Sequence, residues 1–255
     1  MLISSGNRES IDDATVMNLV LLEDDDFIDD NHVRLGGRRF DHITTLLAKE
    51  TGDSLRIGRV NGLMGQGVIE SIDSAALTLA IQLDQSPPPP LPVTLILALP
   101  RPKMLRRILR CVSSMGVKSL YLINSYRVDK SYWSSPLLQP EKIREQLCLG
   151  LEQGRDTLLP QVHLCPRFRP FTEDDLPGIS SSTTNLVAHP EDGSVFPCQP
   201  LVPACLAIGP EGGFIPYEID RLKEVNFIPV RLGERILGVE TAVPALLSPF
   251  VAGIS

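Results

Sequence analysis

Leu206-Ala207-Ile208-Gly209-Pro210-Glu211-Gly212-Gly213-Phe214 is the stretch on which the fold turns. Three apolar residues of strand character run straight into three glycines and a proline within five positions. That composition forces a tight backbone path and, because side chains are missing, lets a ligand approach peptide N–H and C=O groups closely. On its own, Gly-Pro-Glu-Gly-Gly is equally an ordinary turn between strand and helix. A second glycine-bearing loop, Leu232-Gly233-Glu234-Arg235-Ile236-Leu237-Gly238-Val239-Glu240-Thr241, tilts the reading toward a composite small-molecule site.

Around this stretch, apolar runs alternate with helical segments. Strands are predicted at Val93 to Leu99, Val117 to Ile123, Asn185 to Ala188, Ala204 to Ile208 and Phe227 to Leu232, with helices at Lys103 to Met115 and Pro140 to Gln153. Such alternation predicts an α/β unit with a mainly parallel sheet, whose ligands sit at the carboxyl ends of the strands. Both glycine loops and the turn Ala188-His189-Pro190 fall there. Pro216 suits the first position of a helix running through Glu218 to Val225, because that N–H has no partner inside the helix.

Pro87-Pro88-Pro89-Pro90-Leu91-Pro92 marks a boundary, being stiff, extended and unable to continue a helix or central strand. Before it lie short alternating segments broken by glycine, at Ser54 to Val60, Gly65 to Ile72 and Ala76 to Leu83. They predict a small antiparallel β-barrel or sheet, with one helix near Arg38 to Lys49. No internal repeat is present, and Ser180-Ser181-Ser182 is the one low-complexity tract.

The chain has 255 residues, enough for one or two domains with substantial cores. Val16 to Leu22 is short and runs into Glu23, Asp24, Asp25 and Asp26, so neither a membrane span nor a signal sequence is predicted, and a cytoplasmic protein is expected. Five scattered cysteines form no CxxC pair and no disulfide framework; buried or semi-buried free thiols are expected. The histidines lack ligand spacing, and no metal is expected.

A formal net charge of -7 argues against a nucleic-acid binder, but the charge is unevenly distributed. Acids crowd between Glu23 and Asp30, whereas Arg101 to Lys118 contains no Asp or Glu at all. On the helix from Lys103, the residues Met104, Ile108, Cys111, Val112 and Met115 are expected to face the core. Lys103, Arg106, Arg107 and Arg110 recur on another side, either as a solvated basic face or as a surface for phosphates. Gly116 supplies the stop.

Gly209 to Gly213 matches neither a P-loop nor the dinucleotide-binding GxGxxG pattern, so phosphate binding there is disfavoured. Glu211 would repel a phosphate and suits a ligand carrying a cation.

These motifs, in this order and spacing, resemble the ribosomal RNA uridine-N3 methyltransferase family (RsmE) of the SPOUT superfamily. Ile208 to Gly213, Leu232 to Leu237 and Glu240-Thr241-Ala242 carry the resemblance. Ala188-His189-Pro190, Glu152-Gln153-Gly154-Arg155, Lys103-Met104 and Met115-Gly116-Val117 extend it, and Asn31-His32-Val33-Arg34 through Gly52-Asp53 resembles the family's PUA-like module. The resemblance implies an α/β fold of two domains: residues 1–86 as a PUA-like RNA-binding β-barrel and 93–255 as a SPOUT methyltransferase domain with a C-terminal trefoil knot. It also implies a homodimer acting on ribosomal RNA or the small (16S) ribosomal subunit, with no membrane partner.

The implied cofactor, S-adenosylmethionine, would lie among Leu186, His189, Pro190, Ile208, Gly209, Pro210, Glu211, Gly212, Gly213, Leu232, Gly233, Ile236, Leu237 and Thr241. Arg34, Arg38, Arg39, Lys103, Arg106, Arg107, Arg110 and Arg127 would face RNA. Removing the N3 proton of uridine calls for a base and for stabilisation of the anion, with Glu240 as candidate base and Arg235 or Arg155 as stabilisers. Glu240 also reads as a simple helix N-terminal acid. Where the family has an arginine after Ile-Leu, this chain has Gly238; Ser114 and Tyr126 replace acids, while Arg127 is kept. Two alternatives stay open: a ribose 2′-O-methyltransferase of the same superfamily, and a non-catalytic RNA- or ribosome-binding protein.

Overall fold

Alternating and continuous apolar runs build two separate sheets, each with its own buried core. The computed structural model describes residues 17–190, 193–199 and 201–251, so the first sixteen residues of the expected N-terminal module lie outside the described part.

The first sheet has six strands in the order Val20–Leu22, Ser54–Arg59, Met64–Ile72, Ala76–Gln85, His32–Gly36, Phe27–Asp29. The three alternating segments read from the sequence are its centre, joined antiparallel. The sheet is mixed rather than antiparallel throughout, because Val20–Leu22 pairs parallel with Ser54–Arg59. The helix expected over Arg38 to Lys49 is shorter: one α turn at Gly37–Asp41 and one wider π turn at His42–Leu46. Its second half is β-branched, Thr44 Oγ1 bonds back to the Phe40 carbonyl at 2.8 Å, and Ala48 has φ +47°, all of which work against a continued helix.

Seven strands form the second sheet, and every pairing is parallel: Ser194–Val195, Ile228–Arg231, Thr184–Ala188, Ala204–Ile208, Val93–Ala98, Ser119–Ile123, Gln161–Cys165. Ala204–Ile208 is buried at all five positions, as expected for a strand covered on both faces. The edge strand Gln161–Cys165 was not foreseen, since its outer positions are polar and partly exposed. In sheet order Ile228–Arg231, Thr184–Ala188 and Ala204–Ile208 are neighbours, so the three loops that follow them emerge side by side.

Pro102–Ser114 begins with Pro at its first turn, and Gly116 at φ +88° ends it with Val117 N–H bonded to the Val112 carbonyl at 3.1 Å. Its buried face is Leu105, Ile108, Leu109, Val112 and Ser113. Met104, Cys111 and Met115, expected to face inward, lie at the edge of that face and are only partly buried. The shift follows from the partner helix Pro140–Gly154, which comes so close that a Cβ on Gly150 would lie 2.3 Å from the Arg110 carbonyl oxygen.

The two sheets are docked tightly. Leu19 and Leu21 pack on Leu151, and Thr157 Oγ1 donates to the Gly62 carbonyl at 2.6 Å. Arg144 pairs in two-pronged fashion with Glu23, at 2.8 and 2.7 Å. Although the proline run is mostly exposed, Leu91 within it is buried and bonds through its N–H to Gly116. Among the thiols, Cys205 is buried and Cys198 is exposed, the latter against expectation.

Candidate functional site

The three side-by-side loops enclose a cavity of about 480 Å³ at the carboxyl ends of their strands. Ala188, His189 and Pro190 come from the first loop, Gly209 to Phe214 from the second, and Leu232, Gly233, Arg235, Ile236 and Leu237 from the third. This volume falls within the range of about 300–1,000 Å³ typical of small-molecule sites.

Local sequence explains the loop shapes. Gly213 has φ +72° and Gly233 φ +140°, conformations that residues with a Cβ adopt only with strain. A Cβ on Gly209 would sit 3.0 Å from the Phe214 amide nitrogen, so the missing side chain lets the loop fold back closely on itself. Arg127 donates to the Gly212 carbonyl and lines the cavity beside it. The His189 N–H is taken by the Val230 carbonyl at 2.9 Å, which fixes the start of the first loop.

Twelve of the fourteen expected cofactor residues line this cavity. Leu186 does not, being a buried mid-strand residue of the core. Thr241 stands in the first turn of the helix Val239–Val251, exposed and outside the lining. Sequence reasoning missed Phe214, Ile219, Asp220, Lys223, Val239, Ala242 and Leu246, which also line it. An i,i+4 spacing on the helices after each glycine loop, Ile219 with Lys223 and Ala242 with Leu246, was the available signal.

Of the three candidate catalytic groups, Arg235 lines the cavity. Glu240 stands in the first turn of its helix and accepts a hydrogen bond from Arg107 at 2.9 Å. Arg155 is exposed, in the left-handed conformation that ends the helix Pro140–Gly154, and belongs to the junction between the sheets. Its motif neighbours share that location: Glu152 is buried and takes two bonds from Arg38, at 2.7 and 2.9 Å. Burial pushes the Glu152 carboxyl above the ordinary range even with the Arg38 guanidinium beside it.

The basic set divides by partner. Lys103 and Arg106 are exposed and have no partner among the described residues. Arg110 bonds to Gln146 at 2.8 Å, and Arg34 pairs with Asp73. Arg101 pairs with Glu211 at 3.0 Å, tying the start of the basic helix to the glycine loop. Arg39 is held inward by two bonds to Asp26, at 2.5 and 2.6 Å, and one to the Leu21 carbonyl; it is a structural cation rather than an outward one. Within the acidic cluster, Asp26, Asp24 and Glu23 pair with Arg39, Arg59 and Arg144 respectively.

Among the described residues no helix is long and apolar enough to cross a membrane, and no group of three or more His, Cys, Asp or Glu side chains is placed to hold a metal ion.

The RNA methyltransferase domain family matches residues 87–250. Over 250 residues the chain is 30% identical to ribosomal RNA small subunit methyltransferase E of Treponema pallidum, covering 92% of this chain and 91% of that protein. It is 22% identical to ribosomal RNA small subunit methyltransferase E 1 of Borreliella burgdorferi, over 90% of this chain and 95% of that one. Among solved structures, the fold is similar to that of ribosomal RNA small subunit methyltransferase E from Neisseria gonorrhoeae bound to S-adenosyl methionine, with TM-score 0.71, 20% identity, and coverage of 91% of this chain and 95% of that one.

Proposed function

Because this chain belongs to the ribosomal RNA small subunit methyltransferase E family, we propose that it transfers the methyl group of S-adenosylmethionine to N3 of a uridine in small-subunit ribosomal RNA. The observation that carries this reading is the three-loop cavity, with Arg127 and Arg235 at its lining.

The residues present fit the cofactor. Ile208, Leu232, Ile236 and Leu237 offer apolar contact to an adenine, and the glycine loops leave backbone groups open at close range. Glu211 and Asp220 bring negative charge to the lining and Lys223 brings positive charge, matching a ligand with a sulfonium, an ammonium and a carboxylate. When bound, S-adenosylmethionine supplies an electrophilic methyl group. The protein's own part is to bind the uridine beside it and favour the deprotonated ring. We assign that to Arg235, whose guanidinium stabilises the negative charge developing on the base, with the proton leaving to solvent. Lys103, Arg106 and Arg110 form the RNA-facing surface, joined by Arg34, Arg38 and Arg127.

We read residues 93–255 as a SPOUT-type domain with a trefoil knot and 1–86 as a PUA-like RNA-binding module. Insertion of Ala204–Ile208 between Val93–Ala98 and Thr184–Ala188, and the return of the helix Val239–Val251 to pack on Pro102–Ser114, support the first part. A cytoplasmic homodimer is the proposed working form. Ile236, 84% exposed beside the exposed Leu232 and Leu237, gives an apolar loop surface that a second copy would cover.

The test is methyl transfer from labelled S-adenosylmethionine to small subunits lacking the modification. Cofactor binding without any transfer would favour the binding-protein reading, whose specific support is Gly238.

A further inference from the structure

We propose that Glu218 is a positioning residue for the cofactor cavity, bracketing the Ser125–Arg127 turn against the helix Pro216–Glu224 so that the Arg127 guanidinium is fixed over the Gly209–Gly213 loop. The proposal deepens the cofactor-site reading above and rests on it.

Glu218 is 2% exposed and pairs with no cation among the described residues. Three donors satisfy it instead: the Ile215 amide at 3.0 Å, the Tyr126 amide at 2.8 Å and Ser125 Oγ at 3.0 Å. A glutamate in the first turn of a helix needs only the first of these to act as a cap. The other two reach across 92 and 93 positions of sequence to a turn that contributes nothing to the helix. A buried carboxylate demands such a complete donor set, so the turn can leave this place only by exposing or orphaning the charge. The next residue, Arg127, donates to the Gly212 carbonyl and lines the cavity, with its Cδ 2.8 Å from where a Cβ on Gly212 would be. Glu218 therefore acts on the ligand site through Arg127, without lining it.

The test combines a double-mutant cycle with hydrogen exchange. Glu218→Gln keeps the shape but offers one acceptor oxygen and an NH2, so it can hold either the Tyr126 amide or the Ser125 hydroxyl with the Ile215 amide, never all three donors. Calorimetry should find S-adenosylmethionine binding about tenfold weaker in Glu218→Gln, the scale of one lost charge-assisted hydrogen bond. Arg127→Ala should lose a similar factor. The double variant should bind no more than about twofold weaker than Arg127→Ala alone, because both changes act through one guanidinium. Independent, additive losses would overturn the proposal. Ser125→Ala removes one of the two turn-side bonds and leaves the Tyr126 amide bond and the helix cap in place, which covers the case where Glu218→Gln folds poorly. In ligand-free Ser125→Ala, faster amide exchange across residues 209–214 supports the bracket, and unchanged exchange there overturns it. Should the unaltered protein fail to bind S-adenosylmethionine, the proposed function fails, and the exchange measurement still decides the role of Glu218.

Discussion

Arg107 Nη1 donates to Glu240 Oε1 at 2.9 Å, joining the basic helix Pro102–Ser114 to the first turn of the helix Val239–Val251. The bond turns Glu240 toward the basic helix, and Glu240 is not among the residues lining the cavity. Glu240→Gln should therefore slow single-turnover methyl transfer by less than about tenfold, and change stability by under about 1 kcal/mol because the pair is partly exposed. Arg235→Ala should slow it by about 10²- to 10³-fold, as expected for removing a donor to developing charge. The reverse order of effects would restore Glu240 as proton acceptor.

The RNA surface separates outward from inward cations. Lys103→Ala with Arg106→Ala should lower the slope of log affinity against log salt by about 1.4 to 1.8, the value for two lost phosphate contacts. Arg39→Ala should leave that slope unchanged and destabilise the fold by about 3 kcal/mol, because it strands the buried Asp26. Filter binding across a salt series and urea unfolding read the two effects separately.

Gly238 stands where the family carries arginine, and an added Cβ there would meet nothing within 4 Å. Gly238→Arg should thus fold normally, bind S-adenosylmethionine about equally well, and turn over faster on RNA from cells lacking the modification. Equal single-turnover rates would mean that Arg235 or Arg127 already fills the role.

Glu152 ties stability to pH through the junction of the sheets. Burial raises its carboxyl pKa in the folded state, so between the unfolded and folded values the folded protein holds the proton more often. Its contribution is most favourable below the unfolded value and is lost as pH rises through the folded one. Urea unfolding from about pH 4 to pH 7 should show Glu152→Gln flattening the fall in stability with pH. An unchanged pH slope in that variant would show that the Arg38 guanidinium holds the group ionised throughout.

Much of this architecture was legible because the parallel strands are continuous apolar runs and the glycine loops interrupt them abruptly. Ala204–Ile208 matched its predicted bounds, and Pro216 and Gly116 bound their helices as their chemistry requires. What escaped depends on partners distant in sequence. Arg39 and Arg106 look alike in the chain, but only the fold brings Asp26 to Arg39. Helix periodicity placed Ile108 and Val112 correctly, yet the choice between Leu105 and Met104 as the inward neighbour was made by the close approach of Gly150. Glu218 carried no signal of its own, since its two decisive donors, Ser125 and Tyr126, lie in a turn that the sequence leaves unconnected to it. Cys205, an anonymous thiol in the sequence, is so deeply buried that its pKa is pushed up to about 12.

The most direct test of the central claim is the chemical identity of the product made on small subunits from cells lacking the modification. Incubation with S-adenosylmethionine should yield a single N3-methyluridine in the small-subunit RNA, seen by mass spectrometry of its nucleosides and as a reverse-transcription stop at the blocked base-pairing edge. At matched early times, Arg235→Ala should weaken both signals by about 10²- to 10³-fold. A methyl group found instead on a ribose 2′ oxygen, or cofactor binding with no methylated nucleoside at all, would contradict the account.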